Sequence, residues 1–61
     1  MPVVKVSMYS GRTHAQKAAV AKRMADALAE ELQIARDLVL VIFDDIPRED
    51  WAPAGKLNEP A

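Results

Sequence analysis

A proline stands directly behind the initiator methionine, and Val3-Val4-Lys5-Val6-Ser7-Met8 follows it without a break. Once Met1 is removed, Pro2 presents a secondary amine as the chain terminus, and a strand beginning there would hold that amine at one place in the fold. A fixed, titratable nitrogen is a candidate general base, because proton transfer needs a group that is both positioned and matched in pKa. Arg12, just past Gly11 at a change of chain direction, carries a planar guanidinium suited to gripping a carboxylate. Trp51, the one tryptophan, can wall an apolar pocket. Each also has a plainer use. A proline in second place marks methionine trimming, an arginine at a turn is solvated, and a tryptophan fills a core or an interface.

Other chemistries fail on spacing. Asp44 and Asp45 are adjacent, so on a strand they point to opposite faces and cannot share a proton or a metal ion. The single histidine, His14, belongs to a helix start and leaves neither a nucleophile triad nor a zinc site. Gly55-Lys56 lacks the upstream glycine and the following Ser/Thr of a phosphate-binding loop. No metal and no cofactor is called for.

The elements that must position these residues follow from periodicity. From Val3 to Tyr9 the chain alternates, with Val4, Val6 and Met8 on one face and Val3, Lys5, Ser7 and Tyr9 on the other, which predicts a strand. Ser10-Gly11 breaks it. Thr13-His14-Ala15-Gln16 fits a capping box, so a helix is expected from about Ala15 to Gln33. Its apolar stripe is Val20, Ala21, Met24, Ala27, Leu28 and Leu32, with Lys22, Arg23, Asp26 and Glu30 opposite. Leu38 to Phe43 is apolar at every position and reads as a strand covered on both faces, closed by Asp44-Asp45-Ile46-Pro47. Strand, long helix, strand gives a right-handed βαβ unit with parallel strands. A short hairpin is expected over Trp51 to Lys56. The fold class is α/β, a single βαβ unit whose sheet is completed by oligomerisation.

Composition sets the bounds. Residues 1–61 make one small domain, near the limit for folding unaided, with no cysteine to staple it. Hydrophobic residues are 51% of the chain, too many for so small an interior, and the lone helix covers one face of the second strand, so the other face should meet a further copy of the chain. Eight basic and nine acidic residues are interspersed, without the basic patch that a nucleic acid or a membrane surface requires. The longest apolar run cannot span a bilayer and no signal peptide is evident, so a cytoplasmic location is expected.

Pro2 ahead of an alternating strand, Gly11-Arg12-Thr13-His14-Ala15-Gln16-Lys17 opening the helix, and the aromatic-Ala-x-Ala-Gly-Lys run from Trp51 to Lys56 together resemble the short members of the 4-oxalocrotonate tautomerase family. The similarity extends from Pro2 to about Leu57. It implies a cofactor-independent tautomerase that interconverts enol and keto forms of a small 2-hydroxy- or 2-oxo-carboxylate, with Pro2 as base and acid. It further implies Arg12 on the substrate carboxylate, Trp51 against the apolar part, and a hexamer built as a trimer of dimers. A model-peptide α-amino group titrates near 7.7–8.0 and a secondary amine is more basic still, so the site must lower Pro2 by burial or by nearby cations. Leu40 occupies the position of the family's second arginine, which polarises the substrate oxygen. The substitution leaves the Leu40 site apolar, with Arg36 and Arg48 as the cations that flank the strand. Two alternatives stay open: hydration or dehalogenation of an unsaturated acid with Pro2 as acid, and a catalytically idle oligomeric module.

Overall fold

The computed structural model describes residues 1–60. The alternating segment forms strand β1, Val3–Tyr9, with half-buried and exposed residues in strict alternation. Thr13 then stops the chain in an extended conformation, its Oγ1 accepting the Gln16 N–H at 3.1 Å while Gln16 Oε1 accepts the Thr13 N–H at 3.0 Å. Two of the orphan donors at the helix start are satisfied reciprocally, and helix α1 runs over His14–Leu32. It ends at Gln33, which takes the left-handed conformation (φ 55°, ψ 49°) and donates its N–H to Ala29 O. That conformation satisfies a terminal carbonyl and turns the chain back toward the sheet.

After a 3₁₀ turn at Arg36–Leu38, strand β2, Leu40–Ile46, pairs parallel to β1 with Val3 opposite Leu40 and Tyr9 opposite Ile46. The connection is the expected βαβ crossover. The strand is displaced from the apolar run that announces it. Leu38 and Val39 spend their N–H groups on Ala35 O and Arg36 O in the turn, so the ladder begins at Leu40. At the other end Asp44 and Asp45 stay in the strand because each finds a cation on its own face. Asp44 lies 3.8 Å from Lys5, and Asp45 pairs with Lys17 of the helix. The two carboxylates do point apart.

The helix stripe is also turned from the expected one. Ala25 is buried and Ala21, Leu28 and Ala29 are half-buried, whereas Val20, Met24 and Leu32 are exposed. Ala18, Ala21 and Ala25 line a cleft with Val39, at the end of the turn, and Val41 of β2. Asp26 ties the same helix to the turn before β2, accepting from Lys22 Nζ at 3.1 Å and Arg36 Nε at 2.5 Å. Chiefly the Lys22 hydrogen bond, and then that of Arg36, holds the Asp26 carboxyl below its ordinary value.

The expected hairpin over Trp51 to Lys56 is absent. Two 3₁₀ turns, Arg48–Asp50 and Pro53–Gly55, occupy the tail. Pro53 has no N–H to give a ladder, Ala54 adopts a left-handed conformation, and the Asn58 N–H donates to Trp51 O at 2.9 Å across the turn. Among the described residues the sheet has two strands and no helix is long and apolar enough to cross a membrane. One sheet face carries α1. The other shows Val3, Tyr9, Leu40 and Ile42 at 41–56% exposure.

Candidate active site

Pro2 sits at the head of the sheet. Its carbonyl accepts the Leu40 N–H at 3.0 Å, which extends the parallel ladder one step beyond β1 and fixes the residue beside Leu40. The pair is set among Met1, Val3, Leu40 and Ile42, all apolar and all exposed on the uncovered side of the sheet or at its edge. The nearest charges along β1 and β2, Lys5 and Asp44, face each other.

Arg12 and Trp51 belong to the opposite end. Gly11 takes φ 116°, a conformation that strains any residue with a Cβ, and this reversal delivers Arg12 to the start of α1. There Arg12 is exposed and lines a shallow groove with Met8, Gln16, Lys17, Ala19 and Val20. It makes no ion pair among the described residues, whereas Lys17 beside it is engaged by Asp45. Trp51 is half-buried, with its ring edge-to-face on Tyr9 at a centroid separation of 4.8 Å and an interplanar angle of 74°. That arrangement directs the positive edge of one ring at the negative face of the other.

The seven residues of β1 separate these two groups by roughly 20 Å at the rise of a strand. Pro2 and Leu40 are together, and so are Tyr9 and Trp51, but Pro2 and Arg12 of one copy cannot touch the same small molecule. A site that uses both must draw Pro2 from one copy and Arg12 from another. The cations flanking β2 are both engaged in their own chain, Arg36 by Asp26 and Arg48 by the Glu59 carbonyl at 3.1 Å. Neither stands in for a charge at Leu40.

Two residues not singled out in the sequence join Trp51. Asn58 donates from Nδ2 to the Tyr9 hydroxyl at 3.0 Å and to the Arg48 carbonyl at 3.3 Å. Tyr9 lies three residues before Arg12, with nothing in the sequence to mark it beyond its place on the outer face of the strand. Asn58 is unmarked too, being an isolated amide in an irregular tail.

The sequence profile of the family described as "Tautomerase enzyme" matches residues 2–59. A probable tautomerase of Ralstonia nicotianae is 40% identical over 57 residues, which is 93% of this chain and 88% of that protein. The 2-hydroxymuconate tautomerase of Pseudomonas putida is 38% identical over 55 residues, covering 90% of this chain and 87% of its own length. Among solved structures, a heterohexameric 4-oxalocrotonate tautomerase from Chloroflexus aurantiacus superposes with a TM-score of 0.86 at 26% identity, over 93% of this chain and 92% of that one.

Proposed function

The chain belongs to the tautomerase family, and from that premise we propose that Pro2 is the proton-transfer group for the enol–keto interconversion of a small 2-hydroxy- or 2-oxo-carboxylate. The observation that carries this reading is the placing of Pro2. The family match begins at that residue, and its carbonyl is bonded to the Leu40 N–H at 3.0 Å, so its nitrogen sits at a fixed point at the sheet edge.

With Met1 removed, the Pro2 nitrogen takes the proton of the enol hydroxyl as the carbon–oxygen bond gains double-bond character. The resulting ammonium returns a proton to the conjugated carbon and the ketone is formed. The nitrogen begins and ends neutral. Val3 and Leu40 beside Pro2 are apolar, and their burial between copies would favour the neutral amine. Arg12 of a neighbouring copy binds the carboxylate through its free guanidinium, and Trp51 walls the apolar part of the substrate. The uncovered sheet face and the distance between Pro2 and Arg12 support a homo-oligomer, and the heterohexameric relative supports six subunits.

The test uses the processed chain, whose loss of Met1 is read from intact mass. Pro2→Ala is expected to lower turnover of phenylenolpyruvate and of 2-hydroxymuconate by about 100-fold or more, the usual contribution of a positioned proton-transfer group. Unchanged turnover would overturn the assignment.

A further inference from the structure

The geometry points to Tyr9 as a further substrate-binding residue, a neutral donor to the oxygen at which enolate charge gathers, held in place by Asn58. This rests on the tautomerase reading of Pro2 and adds to it a second polar group.

The orientation of the Asn58 amide is fixed by its second partner. The Arg48 carbonyl can only accept, so the atom facing it at 3.3 Å must be the amide nitrogen, and the same nitrogen faces the Tyr9 oxygen at 3.0 Å. Tyr9 is therefore the acceptor in that bond. A phenol that accepts from an amide keeps its own proton to donate, and no other partner takes it among the described residues. The ring is held as well as the oxygen, since Trp51 packs edge-to-face on it at 4.8 Å and the Asn58 N–H donates to Trp51 O at 2.9 Å. Asn58 thus fixes both members of the aromatic pair, one through its side chain and one through its backbone. Tyr9 remains 43% exposed, on the same sheet face as Leu40 and three residues ahead of Arg12.

This arrangement answers to a chemical need. When the enol proton leaves for Pro2, charge develops on the substrate oxygen, and a preorganised donor aimed at it lowers the barrier. Leu40 offers none, and Arg36 and Arg48 are engaged elsewhere. The Tyr9 hydroxyl is a donor already ordered before substrate arrives, from the end of the molecule that carries Arg12 and Trp51. Asn58 touches no substrate in this scheme and is a positioning residue.

Steady-state kinetics on phenylenolpyruvate with the processed oligomer decide the matter, comparing the wild type, Tyr9→Phe, Asn58→Ala and the double variant, with Pro2→Ala alongside. Tyr9→Phe keeps the ring and its packing, and is expected to lower kcat at least tenfold with KM within about threefold, at the lower end for loss of one such donor. Asn58→Ala should lower kcat less, and the double variant should be no slower than Tyr9→Phe, because Asn58 acts through the hydroxyl. A kcat for Tyr9→Phe within twofold of wild type overturns the proposal while leaving Pro2 untouched. Additive losses in the double variant overturn the role of Asn58. Full activity in Pro2→Ala overturns the parent reading, and the Tyr9 proposal with it.

Discussion

At Leu40 an apolar side chain stands next to Pro2, the residue proposed to move the proton. The Leu40 backbone N–H binds the Pro2 carbonyl, and its side chain is 47% exposed in the single chain. Leu40→Arg should raise kcat/KM for the dicarboxylate 2-hydroxymuconate relative to phenylenolpyruvate, by about tenfold, a typical gain for one charge-assisted hydrogen bond of ~1.5 kcal/mol. The ratio of the two specificity constants is the readout, and an unchanged ratio would show that substrate does not pass Leu40. A cation there also disfavours the ammonium form of Pro2, so the acid limb of the pH–rate profile should move to lower pH. At this scale the sequence offers Pro2, Arg12 and Trp51 as candidates by residue type alone, and it is the fold that sets Pro2 beside Leu40 and Trp51 against Tyr9. Tyr9 and Asn58 are not among those candidates, because their bond spans 49 residues and forms only when the tail folds back on the end of β1.

The elements were legible where the signal is local. β1 coincides with its alternating residues, and α1 begins at the capping box because Thr13 and Gln16 satisfy each other's amides whatever lies beyond them. Thr13→Ala removes one of those bonds and should destabilise the fold by about 1 kcal/mol. Thermal unfolding at fixed protein concentration should register it as a fall of roughly 4–8 °C, with kcat per folded subunit changing little. A change confined to activity would mean that Thr13 matters to Arg12 rather than to the helix. The second strand was misplaced for a tertiary reason. Hydropathy marks Leu38–Phe43, but the 3₁₀ turn consumes the first two positions, and Lys5 and Lys17, remote in sequence, make Asp44 and Asp45 tolerable within the sheet. The hairpin expected over Trp51 to Lys56 gives way to a 3₁₀ turn because Pro53 has no N–H to donate and Ala54 is left-handed.

The single chain measures 43 × 25 × 13 Å with a radius of gyration of 14.5 Å, where about 10 Å would suit a compact domain of this length. Only Ala25 is buried among the described residues, in a chain that is 51% hydrophobic. So open a shape has no core adequate to offset chain entropy, and the row of Val3, Tyr9, Leu40 and Ile42 on the uncovered sheet face is the surface that association would bury. Ile42 lies on that face beside Leu40, and the primary readout of a charge placed there is the assembly state. Ile42→Glu places a charge where the neighbouring copy would desolvate it, which costs several kcal/mol. Sedimentation should show the variant dissociated at concentrations where the wild type is assembled. Its melting temperature should be lower, and that of the wild type should fall on dilution, because binding between copies stabilises only the folded state. If the proposed site draws Pro2 from one copy and Arg12 from another, activity should vanish along with assembly, since the two stand roughly 20 Å apart in one chain. A monomeric Ile42→Glu that still turned over substrate would overturn a site shared between copies, because the length of β1 keeps Pro2 and Arg12 apart within one chain.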